Sequence, residues 1–348
     1  MADSTHSATD NLSALVGRIK DGKPGLLGLL LALVIAFSLT IPGFASWGTL
    51  NSFAVQLPIL GLLSLAMVVP LITGGLNLAI IATTNQCALL MAWIMRSMTT
   101  ADSSSAQVLG VILLALLSGL LLALVIGVVT GTIVAYTGVH PILVTLGTKS
   151  LIDGISIYMT RGEALSGFPR SYSIVGNSAI AGIPVTFILL VVVAVIVGII
   201  LRKTPFGISC AMIGSNMEAA RFSAIDTRRV LVGVYTMSSV LCFVAAAVSL
   251  AVFNSASADY SQSYLLVTIL AAVLGGVDPF GGFGKVSGLM IALAILQIIS
   301  SGFNQLGISP YLTTAIWGLI LILVMAVQTA YPYLTFLFWP RNRRANRP

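Results

Sequence analysis

Apolar residues run along this chain in blocks of roughly 20, the length a helix needs to cross the ~30 Å hydrocarbon core of a bilayer, and polar residues gather in the short gaps between them. Ten blocks are predicted as spans, at 25–42, 50–71, 76–98, 106–136, 141–160, 182–201, 230–253, 263–276, 286–303 and 311–331. The eighth is short, and the fourth is long enough to tilt or to run past the membrane. The sequence lacks the ~10-residue alternating segments of a membrane β-barrel. The pattern predicts an all-α, polytopic transmembrane bundle of about ten spans.

Composition agrees with this reading. Of 348 residues, 57% are hydrophobic and 8% charged, and mean hydropathy is +1.05, outside the range of soluble domains. A net charge of +7 raises the question of nucleic acid, but the basic residues fall in the gaps between apolar blocks, where they orient a membrane protein. No nucleic-acid partner is expected; the bilayer is. Residues 1–24 form a polar tail, and Phe44–Ser46 is a poor cleavage site, so the first span is expected to stay attached. With the N-terminus inside, ten spans return the C-terminus inside. Thirteen basic residues then lie in the cytoplasm: Arg18, Lys20, Lys23, Arg202, Lys203, Arg221, Arg228, Arg229, Lys285, Arg341, Arg343, Arg344 and Arg347. Arg96, Arg161 and Arg170 lie outside, and Lys149 falls within a span. The expected organisation is a tail at 1–24, a transmembrane domain at 25–331 and a basic cytoplasmic tail at 332–348, with the longest cytoplasmic loop at about 203–229.

Two gaps carry the same signature. "VVPLITGGLNLAI" (68–80) and "LGGVDPFGGFGKVSG" (274–288) each place a Gly pair and one apolar residue before Asn77 or Asp278. They read either as ordinary glycine-rich turns or as broken helices, whose freed backbone groups must find partners inside protein.

Chemistry-bearing motifs are sparse. In "GGFGKVSG" the Gly284-Lys285 step is followed by Val286, and Pro279 occupies the first glycine position of a phosphate-binding loop, so that motif fails. No catalytic or metal-binding motif is found, and no catalytic residue, metal or cofactor is expected. Cys87, Cys210 and Cys242 are far apart and read as small apolar fillers. His140, before Pro141, reads as a cap or loop residue rather than a catalytic one.

Polar residues inside the spans are the better guide. Lys149 and Asp153 are four apart on one helix face and read either as a self-neutralising structural pair or as part of a solute path. Thr83, Thr84, Asn85 and Gln86 are consecutive in the third span; Thr73, Asn77, Asn304 and Gln305 add hydroxyls and amides near helix ends. Neutral hydrogen-bonding groups suit an uncharged, polyhydroxylated solute, although interhelical hydrogen bonding accounts for any one of them. The glycines of "GLLLALVIGVVTGTIVA" (119–135) are read as a close-packing surface.

"IGSNMEAARFSAIDTRRV" (213–230) concentrates charge in the longest cytoplasmic loop. Ser215 and Glu218 have capping-box spacing, which predicts a short helix with Glu218 and Arg221 on one face and small apolar residues on another. Such a helix is either a solvated loop element or a dock for another protein.

Gly214, Asn216, Ala219, Ala220, Arg221, Ser223 and Ile225 resemble the cytoplasmic coupling loop of sugar ABC importer permeases of the ribose/xylose/galactofuranose type, with Ala224 replacing the usual Gly. The resemblance continues through 68–80, "HPILVTLGT" (140–148), "RKTPFG" (202–207), 271–288 and "GISPYLTTAIWGLILILVMAV" (307–327), covering roughly 25–330. Asn77, Ala79 and Ile81 depart from the Asp, Ser and Gly usual at those positions.

The resemblance implies a permease subunit of an ATP-driven importer in the bacterial inner membrane, half of the path for a sugar or similar solute. It implies cytosolic ABC ATPase subunits, a periplasmic or extracellular solute-binding protein and a second permease subunit, identical or paralogous, as partners. Gly214, Asn216, Glu218, Ala219, Ala220 and Arg221 are the expected ATPase-coupling residues. The competing expectation is a stand-alone secondary carrier or facilitator, which needs intramembrane acids as a coupling-ion site; only Asp153 qualifies clearly.

Overall fold

A computed structural model describes residues 23–100 and 103–337. Almost all of both expected tails, 1–24 and 332–348, lies outside these residues or at their edge. The helices are α1 (Lys23–Thr40), α2 (Trp47–Ile72), α3 (Ile80–Met98), α4 (Ser105–Thr137), α5 (Pro141–Thr160), α6 (Arg170–Asn177), α7 (Val185–Lys203), α8 (Pro205–Ser215), α9 (Met217–Phe222), α10 (Thr227–Phe253), α11 (Tyr264–Leu274), α12 (Val286–Gln305) and α13 (Pro310–Leu337). Two small antiparallel ladders complete the described chain: β1 (Leu165–Ser166) pairs with β4 (Ser255–Ala256), and β2 (Ala179–Ile180) with β3 (Ile183–Pro184).

Each of the ten expected spans falls on a helix. Six of them, α2, α4, α5, α7, α10 and α12, are long and apolar enough to cross a membrane. The 19-residue α3 carries the Thr-Thr-Asn-Gln run, and α1 and α13 contribute the shorter apolar stretches Gly25–Thr40 and Pro310–Ala326. The eighth block differs from a full span. Its helix α11 has 11 residues, a rise of about 16 Å and half the hydrocarbon thickness.

The segment before it, 257–263, is turn and non-helical chain. The side-chain amide of Asn85, in the second turn of α3, donates to the carbonyls of Ala258 (2.7 Å) and Tyr260 (2.9 Å). Irregular backbone beside membrane helices needs such internal partners, because lipid supplies none.

The core sits around α2. Of its most apolar 18 residues 89% are buried, against 22% for α4 and for α7. A helix apolar on all sides and buried on all sides is a central helix; α7, α10, α11 and α12 pack around it. The exposed faces of α4 and α7 are aliphatic, as lipid or a partner subunit requires.

The glycine-rich run of α4 packs on α10. A Cβ on Gly127 would lie 2.6 Å from the Thr236 Cα, and one on Gly131 would lie 2.8 Å from the Val232 Cα. The missing side chains let the two backbones meet, the packing expected of small residues at four-residue spacing.

Candidate functional site

The charged segment folds as two short helices joined at one residue. Thr204 caps α8, its hydroxyl accepting from the Gly207 N–H at 3.3 Å. Asn216 then ends α8 and begins α9. Its backbone is extended (φ −163°, ψ 108°), and its side-chain oxygen accepts from the Ala219 N–H at 3.0 Å.

This corrects the expected capping box. Ser215 still belongs to α8, and its hydroxyl donates back to the Ala211 carbonyl at 3.0 Å. The short amide of Asn216, one residue later, therefore occupies the N-cap that Ser215 was expected to fill.

α9 ends in a Schellman motif. Ile225 N–H bonds the Ala220 carbonyl, Ala224 N–H bonds the Arg221 carbonyl, and Ala224 sits at φ +60°. That left-handed position favours Gly, and here Ala224 holds it. Ala220 is buried with Ile213 and Leu231, which fixes α9 on α8 and on the start of α10. Asp226 caps α10 through the Arg229 N–H and pairs with the Arg229 side chain at 2.9 Å.

The other face of α9 is open. Phe222 is 89% exposed, and Glu218, Ala219 and Arg221 are exposed beside it. Arg221 donates to the Thr227 hydroxyl (3.4 Å) and lies 3.7 Å from the Met217 sulfur. Glu218 and Arg221 share this open surface, but among the described residues no ion pair joins them.

Gly214 makes the closest backbone approach of this segment. A Cβ there would lie 2.0 Å from the Ile72 carbonyl oxygen and 2.3 Å from the Gly282 nitrogen. Ile72 ends α2 at the first sequence break, and Gly282 belongs to the second. The Gly282 N–H bonds the Ile72 carbonyl at 2.8 Å, and a Cβ on Gly281 would lie 2.6 Å from the Gly74 nitrogen. Both breaks and the end of α8 thus meet backbone to backbone, with no side chain between them.

The breaks are secured within the protein, as broken helices must be. The Thr73 hydroxyl donates to the Pro70 carbonyl at 2.7 Å. The Leu76 carbonyl accepts from Thr145 of α5 at 3.0 Å. Buried Asn77 donates to Ser238 of α10 at 2.9 Å and accepts from the Ala79 N–H, while Ser238 donates to the Ala66 carbonyl of α2 at 2.7 Å. Asp278 accepts from the Phe280 N–H at 2.9 Å.

The intramembrane polar residues form no single cluster. Thr84 donates to the carbonyls of Ile80 (2.8 Å) and Cys242 (3.3 Å), and Asn85 holds the segment around 258–260. The Gln86 side-chain oxygen accepts from the Ser156 hydroxyl of α5. Lys149, Asp153 and Ser156 lie at helical spacing on α5, so the Lys149–Asp153 pair, closed at 2.7 Å and half-buried, shares the stripe that meets Gln86. Thr83 is buried with no hydrogen-bond partner for its hydroxyl. Asn304 and Gln305 stand apart at the far end of α12, exposed, where Gln305 donates to Thr49 at 3.3 Å.

Several tethers escaped the sequence reading: Thr145, Ser156, Ser238 and the Gln297–Gln56 pair at 2.9 Å. Isolated hydroxyls and amides in apolar helices were the only signal they gave. Tyr235 was also missed. Its buried hydroxyl has no partner and lies 2.6 Å from where a Gly75 Cβ would stand, at the first break. His140 caps α5, its Nδ1 accepting from the Ile142 N–H at 3.4 Å. The three cysteines are free and buried; burial pushes the Cys210 thiol up to about 12.

Known proteins match this chain along most of its length. It is 28% identical over 331 residues to the autoinducer 2 import system permease protein LsrD of Salmonella typhi, covering 92% of this chain and 96% of the relative. It is also 28% identical over 329 residues to the LsrD protein of Escherichia coli K12, covering 93% and 96%. No solved structure matches. The family model described as branched-chain amino acid transport system / permease component matches residues 49–325, and the chain belongs to that family of membrane permeases.

Proposed function

We propose that the α8–α9 segment is the element on which cytosolic ATPases dock, and that its movement is passed through Gly214 to the two helix breaks. The chain is a permease subunit of an ABC importer, a multi-pass protein of the bacterial inner membrane and a transport component rather than an enzyme. ATP is hydrolysed on its partners. A solute-binding protein delivers the solute on the opposite face, and a second permease subunit, identical or paralogous, supplies the other half of the path.

One observation carries this reading. The segment that exposes Phe222 to a partner touches, through Gly214, the backbone of both breaks. A push on α9 reaches those breaks without crossing a deformable side chain. The side-chain contacts of Asn77 and Thr145 then link the first break to α10 and α5. Ten alternating spans with the N-terminus inside would bring both breaks and the 203–229 loop to the cytoplasmic side, and their mutual contact supports their lying on one side.

The solute is a sugar or a similarly polyhydroxylated small molecule. The neutral amides and hydroxyls of α3, the resemblance to sugar permeases and the autoinducer 2 import of the LsrD relatives support this class. Thr73, Asn77, Thr83, Thr84, Asn85, Gln86, Lys149, Asp153, Asn304 and Gln305 remain the proposed path residues. The Gln86–Ser156 seam and the free Thr83 hydroxyl are the parts best placed to exchange partners with a solute.

The decisive experiment purifies the tagged chain from its native membrane and identifies by mass spectrometry what accompanies it. Wild-type chain is expected to bring a cytosolic ATPase, and Phe222→Asp and Arg221→Glu to lose it while remaining inserted and monodisperse. Recovery of ATPase with both variants would remove the docking role. Solute uptake into liposomes by the chain alone, without ATP, would establish the secondary-carrier reading instead.

A further inference from the structure

We infer that the groove between α7, α8 and the start of α12 is a binding site for one anionic phospholipid of the cytoplasmic leaflet. The groove has a volume of about 1200 Å³. Away from the cytoplasmic end of α7 its lining is apolar, from Val191 and Val195 of α7 to Met290 and Ile291 of α12. At the mouth stand Arg202 and Lys203, in the last turn of α7, and Lys285, which caps α12. No Asp or Glu lines it. Among the described residues no ion pair engages these three cations; Lys285 lies over the Phe283 ring at 5.1 Å.

Depth and charge together select the occupant. From Val191 to Arg202 α7 rises about 16 Å, the depth of one leaflet's acyl chains. Charge of one sign at one end and hydrocarbon below it match a single amphiphile with an anionic head. A soluble phosphate leaves the aliphatic floor uncovered, and a protein helix with an apolar face leaves the three cations unpaired. Basic pockets between membrane helices on the cytoplasmic side take anionic headgroups in this way. Ser215 and Asn216 also line the mouth, so a bound headgroup rests against the joint between α8 and α9. This inference rests on the proposed function for the placement of this face at the cytoplasm, and the groove shares Asn216, Ala219 and Ala220 with the proposed docking segment; its test reads lipid rather than transport.

The full-length protein, with whatever partners accompany it, is placed in nanodiscs of phosphatidylcholine with about one phosphatidylglycerol in five, and retained lipid is counted by native mass spectrometry. One phosphatidylglycerol per chain is expected, retained in preference to phosphatidylcholine. The Arg202→Gln/Lys203→Gln/Lys285→Gln variant is expected to lose that preference by about tenfold or more, since each basic residue near an anionic surface contributes separately. Val195→Trp fills the groove without changing charge and is expected to reduce retention as well. Equal phosphatidylglycerol retention by the wild type and both variants would overturn the site. So would a disulfide from Val195→Cys or Met290→Cys to a second copy or another subunit in native membranes, because protein would then occupy the groove.

Discussion

Gly214 and Ala224 show how much rests on single Cβ atoms at the α8–α9 joint. At Gly214 any side chain would drive into the Ile72 carbonyl, 2.0 Å away. Gly214→Ala is therefore expected to part the three backbones, leaving insertion intact while ATP hydrolysis in the assembled transporter no longer drives uptake. Wild-type uptake per ATP hydrolysed would refute a rigid junction. Ala224 presents the opposite case, a side chain where the backbone favours none (φ +60°). Ala224→Gly relieves a left-handed conformation worth about 1–2 kcal/mol, partly offset by the greater freedom of an unfolded Gly. The net expectation is a modest rise in thermal stability in detergent, and a fall in melting temperature would contradict the Schellman assignment.

At the scale of elements, helices in this chain are joined by what their neighbours lack as often as by what they carry. α4 and α10 touch through Gly127 and Gly131, where backbone meets backbone. Gly127→Leu must separate them, and overpacking of this kind costs about 1–3 kcal/mol or more. The expected outcome is aggregation or early elution on size exclusion, with Ala at the same position intermediate. Asn85 is the complementary case. Its amide satisfies two carbonyls of the chain entering α11, and Asn85→Leu leaves both without that donor, at about 1–3 kcal/mol each. Asn85→Leu is expected to lower thermal stability, and Asn85→Gln to restore part of it; equal melting temperatures for all three proteins would show that the segment finds other partners.

At the scale of the whole molecule, a buried central helix is ringed by helices whose outer faces are aliphatic, and Arg202, Lys203, Arg221, Arg228, Arg229 and Lys285 lie on the segments around the α8–α9 joint and the second break. The α2–α3 break, the 275–285 loop and the α8–α9 joint converge there, so one face holds both the proposed docking segment and the two breaks in the core helices. A reporter fused after residue 348 is expected to be active only in the cytoplasm, as even-numbered crossings and the positive-inside distribution require. A periplasmic signal would invert the orientation and place the docking surface where no ATPase could reach it.

The sequence by itself determined that the chain is a helical membrane protein, where its helices run, where glycine-rich gaps interrupt them, and where charge gathers between them. Each of these is local: block length sets a span, Gly and Pro set a break, and clustered charge cannot enter hydrocarbon. Tertiary structure decided what those pieces touch. Asn77 and Asn85 looked like groups awaiting a solute, and folding satisfied both with Ser238 and with the 258–260 backbone. Ser215 looked like a cap, and the extended backbone at Asn216 moved the cap by one residue. The eighth span looked merely short, and proves to be a half-helix preceded by chain that another helix supports. Partners 140 to 180 residues apart in sequence are chosen by packing, and the type of residue alone carries no record of that choice.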